Sequence, residues 1–167
     1  MGMVANYLRV SQAELEAYIQ DSRKLENRVY REDDPEDPKL IDLDKAWEGL
    51  FFLLTGAALS TVEHAKEPLS LILNTTLEID PEQDMGYGPA MYNTIEQVIA
   101  ISAALDKTTT DDLYNRYDGK KMTALGVYPG NWDEEDATEY LIENFDKLKG
   151  FYNNAVSEGE AVIFFIN

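Results

Sequence analysis

Few residues of this chain have side chains suited to catalysis. The chain contains one histidine, His64, and no cysteine, which excludes a thiolate nucleophile, a Cys-based zinc site and a pair of histidine ligands. Ser60 precedes His64 by four residues, so a serine–histidine pair is one hypothesis. The polar sequence around His64 instead favours an exposed histidine without a catalytic role. We therefore assign no catalytic residue, and we expect no metal and no cofactor.

The segment from Asp84 to Thr94 is the best candidate for a binding site. Gly86 and Gly88 would let backbone N–H groups approach a ligand, and Thr94 opens a helix whose first N–H groups carry a partial positive charge. The candidate residues for binding a ligand or partner are Asp84, Tyr87, Tyr92, Thr94 and, from outside the segment, His64. The opposing interpretation, which we favour, is that Thr94 caps its own helix and the tyrosines bury their rings, so that the segment is scaffold.

Motifs for nucleotide and calcium binding are absent from the sequence. Gly86 and Gly88 lack the third glycine of a dinucleotide-binding loop, and there is neither a phosphate-binding loop nor a stretch with EF-hand spacing. The acidic segment 32–37 is predicted to be an exposed loop. Clustered like charges oppose a helix there, and so do Pro35 within the segment and Pro38 directly after it. A weak cation site there is less favoured than a solvated run of charge.

The charge of the chain restricts its partners. It carries 32 Asp and Glu against 14 Lys and Arg, a net charge of -18, and this surplus repels phosphate backbones and anionic lipid. We therefore expect no nucleic acid and no membrane as partners, and the charge favours a basic protein. The first residues lack the basic and apolar regions of a signal peptide, and no apolar run is long enough to span a bilayer, so we expect a cytoplasmic protein.

Strands are predicted at both ends of the chain. Residues 3–10 lean apolar, and 161–166 form a continuous run of strand-forming residues that is typical of a central strand covered on both faces. Residues 76–79 are a further candidate strand, and the type of 68–73 stays open. We expect an α+β fold with several helices packed on a small mixed or antiparallel sheet that includes the N- and C-terminal strands. With no internal repeat or linker, 1–167 is predicted to be a single domain.

Apolar periodicity and capping residues predict five helices. They are a helix through residue 29 opened by a capping box at Ser11, a core helix capped by Asp42 or Asp44 and stopped by Gly56, a helix from Thr94 through Leu105, a short helix from Thr110, and a long helix ended by Gly159. The long helix is expected to hold Asp133–Asp136 in its first turn, where the macrodipole favours acids. One core is expected to contain Trp47, Leu50, Leu54, Leu141, Leu148, Val162 and Phe164.

Several segments together resemble a known family. They are Met1-Gly2-Met3, Asp42-Leu43-Asp44-Lys45-Ala46-Trp47-Glu48-Gly49-Leu50 with Leu53-Leu54-Thr55-Gly56, Gly86-Tyr87-Gly88-Pro89-Ala90 with Tyr92-Asn93-Thr94-Ile95-Glu96-Gln97-Val98, and Tyr128-Pro129 with Trp132. The pattern is similar to the YfbM-like family of small bacterial proteins along the whole chain. The resemblance implies a compact cytoplasmic bacterial α+β domain and supplies no activity. Family members usually read Leu-His where this chain has Phe51 and often Pro-Ala-Arg where it has Met91, which argues against a catalytic site at these positions.

The charge and the absence of catalytic motifs favour a non-enzymatic acidic protein-binding module, one that neutralises a basic partner such as a toxin domain. The alternative is a small-molecule-binding protein or hydrolase with its site at the Asp84–Thr94 segment. The sequence thus leans towards a binding protein and away from an enzyme.

Overall fold

The two terminal strands form the centre of the sheet. A computed structural model describes residues 2–33 and 36–167. Its strands are Ala5–Val10 (β1), Leu40–Asp42 (β2), Met91–Asn93 (β3) and Ala161–Ile166 (β4), joined antiparallel in the order β2-β1-β4-β3. β1 pairs with β4 from Ala5 opposite Ile166 to Val10 opposite Ala161. The predicted central strand at 161–166 is therefore confirmed, and the sheet includes both terminal strands as expected.

Helices make up about half of the chain that the structure describes. Seven α-helices occur there: Gln12–Gln20 (α1), Arg23–Val29 (α2), Trp47–Thr55 (α3), Ile95–Lys107 (α4), Thr110–Arg116 (α5), Gly119–Ala124 (α6) and Ala137–Glu158 (α7). Two 3-10 helices, Leu59–His64 and Leu69–Ile72, connect α3 to β3. The predicted α+β class is confirmed. Each helix within residues 2–33 and 36–167 is too short or too polar to cross a membrane.

The sheet buries both of its faces. Side chains alternate along each strand, so Tyr7 and Phe164 lie on one face and Leu8 and Ile163 on the other. The first face packs against α3, α4 and α7, and the second is covered by α1, α2 and the 79–90 segment. All seven residues expected in one core lie in the cluster on the first face.

Local signals place several helix ends correctly. Ser11 and Thr94 each form the predicted capping box, with Glu14 and Gln97 as the reciprocal partners. Gly159 ends α7 in the left-handed region, at a φ of 65° that favours glycine.

The helix predicted through residue 29 is interrupted at Asp21. This residue is extended (φ -149°, ψ 94°), and its carboxylate accepts hydrogen bonds from Arg23. The neighbouring Ser22 hydroxyl donates to Oδ2 of Asp80 at 2.7 Å. Short polar side chains that bond locally or to a distant loop compete with helical hydrogen bonds, so the chain forms two helices instead of one.

The predicted capping role of Asp42 or Asp44 is wrong. Ala46 precedes α3 without a side-chain cap, and Oδ1 of Asp42 accepts the N–H of Asp44 at 3.0 Å. The acids 133–136 precede α7 and do not occupy its first turn, which contains Glu139.

Neither an α-helix nor a β-strand forms at residues 68–73 or 76–79. Residues 76–79 form no strand, because Glu78 alone pairs with Met91 in an isolated bridge. The open segment 68–73 contains the second 3-10 helix. In the acidic segment 32–37, residues 32, 33 and 36 are exposed, while 34 and 35 lie outside the described residues.

Candidate functional site

Tyr87 lines an apolar groove on the surface. The groove has a volume of about 490 Å³ and is lined by Met3, Trp47, Glu48, Leu59, Tyr87, Gly126–Gly130 and Ile166. Tyr87 is 60% exposed and Leu59 is 39% exposed, so both present apolar surface to solvent. We call this feature the Tyr87 groove. It brings together residues from four of the segments that carry the family resemblance.

A buried carboxylate holds the walls of the Tyr87 groove. Glu48 is 5% exposed, and its two oxygens accept the backbone N–H groups of Leu59 at 2.9 Å and Tyr128 at 2.8 Å. On the floor, Trp47 stacks on Tyr128 with ring centroids 5.4 Å apart. The Trp47 indole N–H donates to the Met3 carbonyl, and the Met3 N–H donates to the Tyr128 hydroxyl. These polar groups are therefore satisfied within the protein.

The backbone donors of the Asp84–Thr94 segment are largely engaged. The Gly86 N–H donates to Oδ1 of Asp84 at 2.9 Å, and the Tyr87 N–H donates to the Ile166 carbonyl at 3.0 Å. A Cβ on Gly86 would lie 2.7 Å from the Asn167 backbone, so this glycine lets the segment pack against the end of β4. Of the predicted site residues, Asp84 thus serves a turn. The expectation that the tyrosines bury their rings is wrong for Tyr87, whose ring is exposed and free to contact a ligand.

Tyr92 and Thr94 lie away from the Tyr87 groove. Tyr92 belongs to β3 and is partly buried against the core on the second face of the sheet. Thr94 accepts the N–H of Gln97 at 3.3 Å, and the Gln97 side chain accepts the N–H of Thr94 at 2.9 Å. This capping arrangement matches the scaffold interpretation of that helix start.

His64 lies at the end of the first 3-10 helix and is exposed. Its Nε2 is 3.5 Å from Oε1 of Glu63. The Ser60 hydroxyl donates to the carbonyl of Leu125 at 3.1 Å. The structure therefore does not place the Ser60 hydroxyl in a hydrogen bond with His64, and it does not bring His64 into the Tyr87 groove.

A second concavity adjoins the Tyr87 groove across Pro129. It has a volume of about 320 Å³ and is lined by Asp44, Lys45, Pro129, Asn131, Trp132, Glu134, Asp136, Ala137 and Tyr140. We call it the acidic cleft, because its lining includes three acidic residues and one lysine. The carboxylates of Glu134 and Asp136 make no hydrogen bond or ion pair within the described part of the chain. They are therefore available to an external cation.

Tyr140 holds Asp44 at the edge of the acidic cleft. Its hydroxyl donates to Oδ2 of Asp44 at 2.7 Å and accepts the N–H of Lys45 at 3.1 Å. Burial, and then the hydrogen bond and charge of Asp44, raise the pKa of Tyr140 above its ordinary value. Asp44 has a φ of 46°, in the left-handed region that Asp tolerates better than most residues. The turn thus presents the second carboxylate oxygen of Asp44 to solvent.

Trp132 closes the inner side of the acidic cleft. It is buried, and its indole N–H donates to the Val127 carbonyl at 2.8 Å. Its ring packs so closely on α3 that a Cβ on Gly49 would lie 2.5 Å from it. This contact joins the 128–132 turn rigidly to the core.

The acidic cleft was missed by reasoning from sequence. The residues that form it come from two segments about ninety positions apart, and each had a local interpretation as a cap, a turn or a helix start. The available signal was the run of four acids immediately after Trp132. In the part of the chain that the structure describes, no three carboxylate or histidine side chains are arranged to hold a metal ion.

The elements described above define an α+β fold with a four-stranded antiparallel sheet. The family model of a domain of unknown function, DUF1877, matches residues 1–165, so the chain belongs to this family. A solved structure, that of YfbM from Escherichia coli, a protein of unknown function, matches with a TM-score of 0.72 and 16% sequence identity over 98% of this chain and 99% of that chain. At that identity the likeness shows the fold alone. The resemblance to a YfbM-like family is confirmed, and the comparison with curated protein sequences gave no match.

Proposed function

We propose that this protein is a non-enzymatic binding domain whose acidic cleft holds a basic segment of a partner protein, such as a toxin domain that it neutralises. The observation that carries the proposal is the set of carboxylates of Asp44, Glu134 and Asp136 around one concavity. Two of them have no partner within the described residues, and Asp44 keeps one oxygen free. A guanidinium or ammonium group entering the cleft would meet carboxylate oxygens that no other group of the described residues engages.

The rest of the molecule supports a cationic occupant. The net charge of -18 attracts a basic protein at long range and lowers the chance of productive encounters with anions. At the cleft, the half-buried ring of Tyr140 offers an aromatic surface, on which an arginine side chain stacks favourably. The field would guide the partner, and the local carboxylates would fix its basic side chains.

The test compares two neutralised variants that carry the same net charge. The double variant Glu134→Gln with Asp136→Asn removes two charges from the acidic cleft while keeping polar side chains. The control, Glu16→Gln with Glu158→Gln, removes two exposed charges elsewhere. Glu158 lies at the other end of α7, which at 22 residues is about 33 Å long. Wild type and both variants are used as baits in the source cell's lysate at low and at high salt.

We expect the wild type and the control variant to retain the same basic protein at low salt and to release it as salt rises, since screening weakens exposed charge pairs. The cleft variant is expected to retain much less of it. Equal losses in both variants would show that net charge alone matters, and this result would contradict the proposal. Capture of no basic partner by the wild type would contradict it as well.

A second candidate function is a small-molecule-binding protein or hydrolase with its site at the Asp84–Thr94 segment. The observation that favours it is the size of the Tyr87 groove, about 490 Å³, which is within the range of ligand pockets. The missing contact between Ser60 and His64 makes the hydrolase version the weaker one. Turnover in a broad hydrolase screen that is lost in Tyr87→Ser would support this candidate over the binding domain.

A further inference from the structure

The Tyr87 groove and the acidic cleft are neighbours that share Pro129 in their linings. We infer that the partner segment places an apolar side chain in the Tyr87 groove while its basic side chain occupies the acidic cleft. This inference rests on the proposed function, because it defines further the segment that the acidic cleft would hold. The partner is thus a protein segment with an apolar residue close to an arginine or lysine.

The lining of the Tyr87 groove selects an apolar occupant. Its carboxylate, Glu48, already accepts two backbone N–H groups, and the Trp47 indole N–H is bonded to the Met3 carbonyl. What remains exposed is mainly apolar surface, to which the ring of Tyr87 and the side chain of Leu59 contribute. A polar side chain placed here would lose water without gaining equivalent hydrogen bonds, whereas an apolar one gains from burial.

The adjacency of the two concavities requires the apolar and the basic side chain to lie close together in the partner. In an extended chain, side chains two positions apart point to the same face and lie about 7 Å apart. An apolar residue with an arginine or lysine two positions away is therefore the pattern chosen for the test.

Charge argues against a second copy of this chain as the occupant. A two-fold dimer through the Tyr87 groove would use the same surface on both copies. The acidic cleft of each copy would then approach that of the other, and like charges facing one another oppose association. A basic partner is complementary to the same surface.

The experiment uses two amidated heptapeptides. In the leucine peptide, a central leucine has an arginine two positions away on each side, and the other positions are glycine or serine. In the serine peptide, serine replaces the leucine. Both are titrated into the wild type, into Tyr87→Ser and into Tyr114→Ser. Tyr114 is 48% exposed on α5 and outside the Tyr87 groove, so it is a matched control.

For the wild type we expect the leucine peptide to bind about tenfold more tightly than the serine peptide, as burial of one leucine side chain implies. Tyr87→Ser should remove most of this preference and leave the serine peptide unaffected, while Tyr114→Ser should change neither. Equal affinities of the two peptides for the wild type would overturn the inference. A loss of affinity for both peptides in Tyr87→Ser would overturn it too.

The same titrations separate this inference from the proposed function. If both peptides bind equally and the Glu134→Gln, Asp136→Asn variant weakens both, the acidic cleft stands and the role of the groove is refuted. If neither peptide binds, both proposals fail. Analytical sedimentation of the wild type and of Tyr87→Ser without peptide measures whether the protein forms a dimer. A wild-type dimer that Tyr87→Ser dissociates would identify a second copy as the occupant of the groove and overturn the inference.

Discussion

Glu48 is expected to be the most sensitive charged residue of the site, because it holds two loops with one carboxylate. In Glu48→Gln, the amide oxygen can accept from only one of the two N–H groups, those of Leu59 and Tyr128, and the amide NH₂ would face the other. Losing one bond to a charged group costs about 1.5–3 kcal/mol. Glu48→Ala removes both acceptors and should cost about 3–5 kcal/mol of unfolding free energy, a large part of the roughly 5–15 kcal/mol usual for a domain.

Urea denaturation followed by circular dichroism measures these free energies, and thermal melting checks them. At about 2–4 °C per kcal/mol for a chain of this size, Glu48→Gln should lower the Tm by roughly 3–12 °C. Glu63→Gln is the matched control, since Glu63 is 67% exposed and should shift the unfolding free energy by no more than about 0.5 kcal/mol. If Glu48→Gln unfolds at the same urea concentration as Glu63→Gln, the double-acceptor role of Glu48 is refuted.

Gly49, two buried tyrosines and the last strand give three further expectations. Gly49→Ala should lower the unfolding free energy, measured by urea denaturation, by about 1–3 kcal/mol, because its Cβ would overlap the Trp132 indole ring. The control Gly150→Ala places its Cβ in open space and should raise this free energy by about 0.5–1 kcal/mol. Equal effects of the two substitutions would contradict this. Burial raises the pKa of Tyr7, which the proximity of Tyr152 raises further, and burial also raises the pKa of Tyr152. The unfolded tyrosines ionise near pH 10 while the two buried ones stay protonated in the folded protein, so stability should fall above pH 10 by up to about 1.4 kcal/mol per pH unit for each. An unfolding free energy in urea that is the same at about pH 9 and about pH 11 would contradict this. Deleting residues 162–167 removes most of a central strand and should abolish folding; a truncated protein that still melts cooperatively at the wild-type temperature would refute it.

The elements predicted correctly were those encoded by short local patterns. The capping boxes at Ser11 and Thr94 and the glycine stop at Gly159 each act within one helical turn, so the sequence reveals them directly. The continuous apolar run at 161–166 likewise matched a strand buried on both faces. These signals were enough for the α+β class and the central pair of strands.

The elements missed depend on contacts between distant segments. β2 has only three residues, and it becomes a strand by pairing with β1, for example Ile41 opposite Tyr7. The break between α1 and α2 is accompanied by a hydrogen bond from Ser22 to Asp80, 58 residues away. Neither leaves a periodic pattern in the sequence.

The site was only partly accessible from sequence for the same reason. Tyr87 was a candidate because glycines surround it, and the structure places its ring at the edge of a groove. The acidic cleft requires Asp44 and Tyr140, which are joined by a hydrogen bond across 96 residues. No local rule relates two such positions, and an acid in a turn reads first as a helix cap.

An NMR titration tests whether the acidic cleft binds basic side chains. Nitrogen-15-labelled protein is titrated with the serine peptide, whose arginines are its only charged side chains, and each backbone amide shift is followed. We expect saturable shifts centred on Asp44, Asn131 and Tyr140, which shrink as salt rises and are absent in the Glu134→Gln, Asp136→Asn variant. Shifts confined to the Asp84–Thr94 segment or to His64, or shifts of equal size in the wild type and this variant, would show that the cleft does not bind them.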